Sequence, residues 1–367
     1  MRIRSISVYQ VDVPLRHGDY KISGGRTVST LDTTIVEIET DDGTVGVGES
    51  CPFGAAYDPV FADGIRAAVT LLAPALIGAD PREVKRANAL MDATLKGNAY
   101  AKSAIDIACW DILGKSTGLP VYILLGGLLT EQVRTNSSIP GGSIDDMVDN
   151  LRRSRDTGLR LHSAKLSGDA PTDVERARAL AEVCDATDIL TFDANGGMTT
   201  HSAIRFVNAV RDLDLYFEQP CAEYQDFLTV RQHCPHPMIL DESGTSMRAI
   251  AEAKADGACD VVKFKISRLG GLTNSRLVRD FCVSLGLGVW IQDAGGSDLS
   301  SAAIAHLAHS TLPSALLGGL SQGVFTDLSV ATGAPRCEGG YMTANKNPGL
   351  GVELRRDICA EPVACYR

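Results

Sequence analysis

The fold of this chain is decided by three short stretches of sequence: LTFDANGG at residues 190–197, LYFEQP at 215–220 and MILDES at 238–243. Each stretch begins with an apolar run, reaches an acid, and meets a Gly or Pro within three residues of that acid. Short apolar runs bounded in this way are typical of buried strands in a parallel sheet. The segments between the stretches are long enough for one helix each. The stretches therefore predict successive strand and helix units.

The same spacing continues on both sides of these stretches. Strand ends recur at intervals of 23 to 28 residues, which fits one strand, one helix and two short loops. The eight predicted strand ends are Ser138, Lys165, Asp193, Glu218, Asp241, Lys265, Asp293 and a position near Gly318. Eight such units predict a closed (β/α) barrel of about 200 residues with its chemistry at these ends. An open doubly wound sheet is the alternative, but no Gly-x-Gly-x-x-Gly follows the first strand.

A different pattern precedes the barrel. Apolar and polar residues alternate from Ile3 to Val11 and again from Thr34 to Thr40, which predicts antiparallel strands. From Asp63 to Lys115 the apolar period is helical. We therefore expect an α+β lobe over residues 1–125, followed by the barrel over 126–325. Residues 326–367 lose the barrel spacing, and we expect them to return to the first lobe.

Composition excludes several classes of protein. The chain has 367 residues, of which 44% are hydrophobic and 22% charged, close to the averages for soluble globular proteins. A net charge of -10 without a Lys/Arg-rich run argues against nucleic acid as a partner. The 10 cysteines lack Cys-x-x-Cys pairs and zinc-site spacing, so we expect reduced thiols. With neither a signal-peptide pattern nor an apolar run of about 18 residues, we expect a cytoplasmic protein without a membrane partner.

The acids Asp193, Glu218 and Asp241 are predicted to converge. Adjacent barrel strands lie about 4.8 Å apart, so acids at one height on three neighbouring strands approach within a few ångströms. Single acids at strand ends often cap the next helix, but three in consecutive units favour a metal site. A hard divalent cation would relieve their repulsion, and an all-oxygen set suits Mg²⁺ better than Zn²⁺. Asn195 and Glu242 are candidates for supporting or outer ligands.

Two lysines flank these acids. Lys165 ends the second strand and Lys265 ends the sixth, so they are predicted to face each other across the barrel mouth. A partly desolvated lysine near a divalent cation can act as a base near neutral pH. Surface lysines are the alternative, but both lie on the inward parity of a strand. Two opposed lysines predict proton transfer at two faces of one carbon. Lys263 shares the inward parity and is also a candidate for an ionic support in a lower barrel layer.

These residues carry a resemblance over nearly the full chain. The stretches GVGES at 46–50, AKSAIDIACWDILGKSTGLPVYILLGG at 101–127 and KISRLGG at 265–271, with the three acids, resemble the enolase superfamily in its muconate-lactonizing-enzyme-like branch. The resemblance implies an α+β capping domain over a modified (β/α)₇β barrel. It also implies essential Mg²⁺, removal of a proton α to a substrate carboxylate to give a metal-stabilised enediolate, and a homo-oligomer.

The chain departs from the usual pattern of this branch at two points. The branch usually carries Lys-x-Lys at the end of the second strand, whereas this chain has Ser163 in the first position. The substrate carboxylate thereby loses a cationic neighbour, and we expect the Ser163 hydroxyl to bind the substrate. No His stands at the seventh strand and Lys265 rather than Asp ends the sixth, which excludes a His–Asp base. His306 and His309 fall on the following helix, and we expect them to be structural.

The substrate-binding residues are expected near the seventh strand and in the first lobe. The region ALLGGLSQG at 315–323 lacks the acidic pair with which dipeptide-epimerase relatives receive an ammonium group. Asp293 and the ring of Trp290 are therefore candidates to hold a substrate cation. Asp298 is a further acid there, although it also fits the N-cap of the next helix.

Loops of the first lobe are expected to close over the site and to set specificity. Lys21, Ser23 and Tyr57 are the candidates in these loops. The resemblance extends to the superfamily's enzymes of proline derivatives. It implies a dehydratase of cis-3-hydroxy-L-proline; a racemase or epimerase of proline or its betaines is the alternative. A non-catalytic scaffold is disfavoured because every residue needed for metal and base is present.

Overall fold

The computed structural model describes residues 1–16, 18–23, 26–54 and 57–367. In chain order the strands are β1 (Ile3–Pro14), β2 (Tyr20–Lys21), β3 (Thr27–Val28), β4 (Thr30–Thr40), β5 (Val45–Ser50), β6 (Val133–Arg134), β7 (Asn136–Ile139), β8 (Leu161–Lys165), β9 (Ile189–Asp193), β10 (Tyr216–Glu218), β11 (Met238–Leu240), β12 (Val261–Lys265), β13 (Gly288–Gln292), β14 (Leu316–Gly319), β15 (Ala331–Thr332), β16 (Cys337–Glu338), β17 (Tyr341–Met342), β18 (Glu353–Leu354) and β19 (Ala364–Tyr366). The helices are α1 (Ala62–Leu76), α2 (Val84–Thr94), α3 (Ala99–Thr117), α4 (Val121–Leu124), α5 (Ile144–Asp156), α6 (Ala170–Val183), α7 (Thr200–Ala209), α8 (Tyr224–Arg231), α9 (Met247–Ala255), α10 (Ile266–Leu269), α11 (Leu272–Ser284) and α12 (Asp298–His309), with a 3-10 turn at Gln322–Val324.

The N-terminal part of the fold is an antiparallel sheet with helices beside it. The sheet has the order β19-β1-β4-β5, and α1, α2 and α3 follow β5 along the chain. The helix α3 approaches β5 closely because Gly46 and Gly48 have no side chains. A Cβ at Gly48 would lie 2.1 Å from the carbonyl oxygen of Ala104. The glycines of the GVGES stretch thus allow β5 to pack directly on α3.

The C-terminal residues run back to this sheet. The strand β19 pairs antiparallel with β1, where Tyr366 lies opposite Ile6. Asp111 in α3 also links the antiparallel sheet to the C-terminal residues. Its carboxylate accepts hydrogen bonds from the backbone N–H of Val47 at 3.0 Å and of Leu350 at 2.8 Å. The domain limits drawn from the sequence stay a prediction.

An eight-stranded parallel sheet forms the second part of the fold. Its strands run in the order β7 to β14, and a parallel bridge between Thr135 and Gly319 joins its two edges. Helices alternate with these strands along the chain. The prediction of a modified (β/α)₇β barrel with an α+β capping domain is confirmed.

The C-terminal ends of the barrel strands carry the charged residues singled out from the sequence. Lys165, Asp193 and Glu218 are the last residues of β8, β9 and β10 and are paired in register. Lys265 ends β12, and Asp241 directly follows β11. All five residues therefore lie at the end of the barrel where such folds place their chemistry.

A buried carboxylate joins the capping domain to the barrel. Glu49 in β5 accepts hydrogen bonds from the backbone N–H groups of Ser297 at 3.0 Å and Ser300 at 2.9 Å, at the start of α12. Thr33 Oγ1 donates to the same carboxylate at 2.7 Å. The start of a helix favours negative charge, so Glu49 holds the loop after β13 against the capping sheet.

Among the described residues, no helix has both the length and the apolar character needed to cross a lipid bilayer.

Candidate active site

A cavity of about 50 Å³ lies where the barrel strand ends meet the capping domain. Its polar lining consists of Asn136, Ser138, Ser163, Lys165, Asp193, Asp241, Lys263, Lys265, Gln292 and Asp293. Its apolar lining consists of Tyr20, Ile22, Phe53, Tyr57, Ala294, Leu320 and Phe325. The cavity is therefore polar on the side of the barrel and mostly apolar on the side of the capping domain.

Asp193 and Asp241 hold the two predicted catalytic lysines. Lys165 Nζ donates a short hydrogen bond to Asp193 Oδ2. Lys265 Nζ lies 2.6 Å from Asp241 Oδ2, and Arg268 Nη1 lies 2.7 Å from Asp241 Oδ1. Because β8 and β12 stand on opposite sides of the barrel, Lys165 and Lys265 approach one cavity from opposite directions.

The two lysines differ in their electrostatic surroundings. Burial disfavours the charged form of both side chains. At Lys165 burial lowers the pKa, but Asp193, together with Tyr20 and Glu218, outweighs burial and raises the pKa above its usual value. At Lys265 burial, reinforced by the like charges of Lys263 and Arg268, lowers the pKa although Asp241 opposes that shift. The surroundings thus favour the charged form of Lys165 more than that of Lys265.

Lys263 supports the site from below. Its Nζ donates to both carboxylate oxygens of Glu218 at 2.7 Å and lies 4.1 Å from the ring centroid of Trp290. Burial, with the negative charge of Asp193, raises the pKa of Glu218 well above its usual value. Lys263 and Glu218 thus form an ionic layer at the floor of the cavity, which Lys263 lines, and this is the lower layer considered for Lys263 from the sequence.

The oxygen atoms around Asp193 fit a divalent cation. Within the described part of the chain no group of acidic, His or Cys side chains is arranged around a metal position, because each of the three acids binds a lysine. Asn195 Nδ2 donates to Asp193 Oδ2 and Glu242 Oε1, both at 3.0 Å. Burial, with the charges of Asp241 and Asp193, raises the pKa of Glu242 to about 7.

Two buried oxygen atoms in this group, Asn195 Oδ1 and Glu242 Oε2, have no hydrogen-bond partner among the described residues. Crowded carboxylates and unpartnered oxygens form a donor set that Mg²⁺ prefers. The residues present therefore fit the metal that the sequence pattern suggested, with Asp193, Glu218 and Asp241 as candidate ligands.

Two other sequence candidates reach the cavity. Ser163 lines it, and its buried Oγ lacks a partner among the residues the structure describes. Tyr57 lines it from the capping domain, with its ring 6.3 Å from that of Phe53. Ser23 is buried beside the site and donates from Oγ to the backbone oxygen of Asp193 at 3.1 Å. Ser23 thus ties the capping loop to the end of β9.

Asp293 lines the cavity but its carboxylate is already engaged. Oδ2 accepts from Ser267 Oγ at 2.8 Å, and Oδ1 accepts from the backbone N–H of Ala294 at 2.9 Å and of Ser267 at 3.2 Å. Burial nevertheless raises the pKa of Asp293 to about 7. A cationic group in the cavity would favour the charged form of this side chain.

Three residues considered for contact with the substrate cation or for closure over the site are not brought to the cavity. Trp290 is fully buried one layer below the cavity. It stands two residues before the end of β13, and successive inward-facing residues of a strand lie about 6.6 Å apart. Lys21 is exposed and lines a neighbouring cleft instead. Asp298 accepts hydrogen bonds from Ser329 Oγ at 2.5 Å and the backbone N–H of Val330 at 3.0 Å. The N-cap expected of Asp298 is provided by Ser297.

The structure adds residues that sequence reasoning missed. Tyr20 packs edge-on against Phe53 at 5.6 Å and Phe325 at 5.4 Å, and its hydroxyl makes a short hydrogen bond with Ser138 Oγ. These aromatic residues come from three distant segments, so no local pattern joins them. Arg268 could have been found, because it lies in the KISRLGG stretch three residues after Lys265.

Two known domain families match the sequence. The Mandelate racemase / muconate lactonizing enzyme, N-terminal domain, matches residues 5–126, and the Enolase C-terminal domain-like family matches residues 146–358. The chain is 42% identical to a cis-3-hydroxy-L-proline dehydratase of Roseibium aggregatum, with 100% of each chain covered. It is 29% identical to an N-succinyl-L-Arg/Lys racemase of Bacillus cereus, with 98% of each covered.

A solved structure shows the same architecture. A member of the enolase superfamily from Roseovarius nubinhibens, complexed with magnesium, superposes with a TM-score of 0.94 and is 38% identical in sequence. The alignment covers 100% of this chain and 99% of the other. Fold and sequence therefore agree over essentially the whole length.

Proposed function

Because the chain belongs to the enolase superfamily, as its sequence motifs indicate, we propose that it is a Mg²⁺-dependent dehydratase of cis-3-hydroxy-L-proline. The observation that carries the proposal is that Lys165 and Lys265 line one cavity from opposite sides, each beside a candidate metal ligand. The 42% identity to a dehydratase of that substrate supports the choice of substrate.

The proposed metal ligands are the three acids at the ends of consecutive strands. Asp193, Glu218 and Asp241 would hold Mg²⁺, with Asn195 and Glu242 as supporting or outer ligands. Mg²⁺, when bound, supplies positive charge for the carboxylate end of the substrate. The unpartnered oxygens of Asn195 and Glu242 support this assignment.

The proposed proton transfers use the two lysines in different roles. The neutral amine of Lys265 takes the α-proton, and the electron pair of that C–H bond forms a C=C bond to the β-carbon. The β C–O bond breaks at the same time, and the leaving hydroxyl takes a proton from the ammonium group of Lys165 and departs as water. The position of the two lysines on opposite sides of one cavity supports this division.

The cavity lining suits a small ring with polar substituents. The aromatic wall of Tyr20, Phe53 and Phe325 would pack against the methylene groups of a pyrrolidine ring. We assign the substrate 3-hydroxyl to Ser163, whose buried Oγ has no partner among the described residues. Asp293 would receive the ring ammonium group, since a cation there favours ionisation of its carboxyl.

Epimerisation or racemisation of proline, hydroxyproline or their betaines is the second candidate function. The observation in its favour is that both lysines reach the same cavity from opposite sides. One lysine could then remove the α-proton while the other delivers a proton to the opposite face. The same residues would serve both reactions, and only the fate of the β-hydroxyl distinguishes them.

The proposal also includes a cytoplasmic location and a homo-oligomer. Both follow from the expectations drawn from the sequence and its resemblance. Cell fractionation and sedimentation of the purified protein would test them, and a monomer at working concentration would overturn the second.

The proposed reaction is tested by incubating the protein with Mg²⁺ and cis-3-hydroxy-L-proline in deuterated water and recording proton NMR spectra. We expect the substrate to lose water and to form an unsaturated product. Recovered substrate with inverted configuration and deuterium at the α-carbon, without loss of water, would establish the epimerase and rule out the dehydratase. An unchanged substrate would overturn both candidate functions.

A further inference from the structure

An amide pair spans the barrel mouth beside Lys265. Gln292 is the last residue of β13 and Asn136 is the first of β7, and the closure of the barrel places β14 between these two strands. Gln292 Nε2 donates to Asn136 Oδ1 at 3.2 Å. Both amide side chains are buried and line the cavity.

The hydrogen bonds of this pair fix its orientation. Asn136 Nδ2 donates to the backbone oxygen of Ser137 at 3.1 Å, which leaves Asn136 Oδ1 to accept from Gln292. Because Gln292 uses its Nε2 in this bond, its Oε1 faces Lys265 Nζ at 3.2 Å. An ammonium group has only donors, so it requires the amide oxygen at this position. The chain of bonds therefore runs from the backbone of β7 to Lys265.

Lys265 thus has two acceptors held by the protein, Asp241 Oδ2 at 2.6 Å and Gln292 Oε1 at 3.2 Å. A neutral amine has two hydrogens and one lone pair. With both hydrogens donated to these acceptors, the lone pair occupies a remaining tetrahedral direction, and Lys265 has no freedom to turn it away. Lys165 differs, since Asp193 is the one hydrogen-bond acceptor of its Nζ among the described residues.

We propose that Gln292, oriented by Asn136, is a positioning residue that directs the amine of Lys265 toward one face of the substrate α-carbon. This inference rests on the proposed α-proton chemistry. It assigns the amide pair to Lys265 alone. Loss of the pair should therefore impair removal of the α-proton by Lys265 and leave the contact of Lys165 with Asp193 unchanged.

The test measures removal of the α-proton from cis-3-hydroxy-L-proline. The rate of loss of its α-proton signal is recorded by proton NMR in deuterated water with Mg²⁺. We expect Gln292→Leu to lower kcat about 10- to 100-fold, part of the 10²- to 10⁴-fold that a positioned base supplies. KM should change less than about 3-fold, because the amide pair acts on Lys265. In a Lys265→Ala background, which has no amine to position, Gln292→Leu should cause no further loss of rate.

A second variant keeps the test decisive if Gln292→Leu does not fold. Asn136→Ala leaves Gln292 in place but frees its amide to turn, so we expect a smaller loss of kcat than in Gln292→Leu. Gln292→Glu retains an acceptor for Lys265 and should recover part of the rate lost in Gln292→Leu. Thermal unfolding and circular dichroism of each variant report whether the fold is retained.

The outcomes separate this inference from the proposed function. If the wild-type protein dehydrates cis-3-hydroxy-L-proline but folded Gln292→Leu keeps the wild-type kcat, or lowers the rate further in the Lys265→Ala background, the positioning role is overturned and the α-proton chemistry stands. If the wild-type protein leaves the substrate unchanged, the proposed function fails and the inference fails with it.

Discussion

Lys265 Nζ lies 2.6 Å from Asp241 Oδ2, and both side chains are buried at the mouth of the barrel. Arg268 binds the other oxygen of the same carboxylate at 2.7 Å. Burial disfavours the charged form of Asp241. The positive charges of Lys265 and Arg268 nevertheless hold the pKa of Asp241 below its usual value. Asp241 thus has two roles in this account, as a metal ligand and as the counter-charge of the proposed base.

We expect Asp241→Asn to abolish activity and to leave the fold largely intact. Without metal, the free energy of unfolding should fall by about 1.5 to 3 kcal/mol, because Lys265 and Arg268 lose a charged acceptor. Urea unfolding with and without Mg²⁺ measures both effects, and Mg²⁺ should stabilise the variant less than the wild type. Wild-type activity of the variant at limiting Mg²⁺ would show that the metal ligands are misassigned.

Ser163 provides a sharper test of substrate contact, because its Oγ has no partner to lose among the described residues. Ser163→Ala should leave stability nearly unchanged and lower kcat/KM about 5- to 150-fold, equivalent to about 1 to 3 kcal/mol. Ser103 on α3 is a matched control, since its buried hydroxyl also has no partner in the part of the chain that the structure describes, but it does not line the cavity. Ser103→Ala should be silent in activity.

Replacement of Ser163 by Lys tests the charge at this position. Ser163→Lys would place an ammonium group near Lys165 and the substrate cation, so we expect turnover of the hydroxyproline substrate to drop. Steady-state kinetics at saturating Mg²⁺ measures the effect. Undiminished turnover would show that position 163 has no part in the charge balance of the site.

Replacement of Trp290 tests whether this residue stabilises the fold or binds the substrate. Since its ring is fully buried against Lys263, Trp290→Leu should lower the free energy of unfolding by about 2 to 4 kcal/mol through lost packing and cation–π contact. KM should remain within about 2-fold of the wild-type value, because the ring does not line the cavity. A large rise in KM at unchanged stability would instead support direct substrate contact.

A pH-dependent contribution to stability is expected from Asp106 in α3. Its carboxylate accepts from the backbone N–H and Oγ1 of Thr273, at 3.0 and 2.5 Å, and burial raises its pKa from 3.8 to about 6. The folded protein therefore holds this proton more tightly than the unfolded chain, and the stabilisation is present below about pH 4 and lost as pH rises through 6. The shift corresponds to about 3 kcal/mol.

The measurement is the free energy of unfolding of the wild type and of Asp106→Asn between pH 4 and 7. As pH rises, the free energy of unfolding of the variant should increase by about 3 kcal/mol relative to that of the wild type. A difference that does not depend on pH would contradict the raised pKa.

The positions of the charged residues could be predicted because strand spacing and inward parity are local properties of the sequence. Lys165, Asp193 and Glu218 end their strands at the residues expected. The depth of Trp290 was missed because parity shows which way a side chain points but not its height in the barrel. The bond between Gln292 and Asn136 was missed because it depends on barrel closure across β14, which brings together residues far apart in the chain.

The two lysines are tested most directly by comparing the wild type with Lys165→Ala and Lys265→Ala on cis-3-hydroxy-L-proline in the presence of Mg²⁺. We expect loss of water from the substrate with the wild type and a fall in kcat of about 10²- to 10⁴-fold in each variant, since each removes a positioned acid or base. Magnesium-dependent stabilisation of both variants would show that the site still assembles. Dehydration at the wild-type rate by a variant that lacks either lysine would contradict the proposed roles of Lys165 and Lys265.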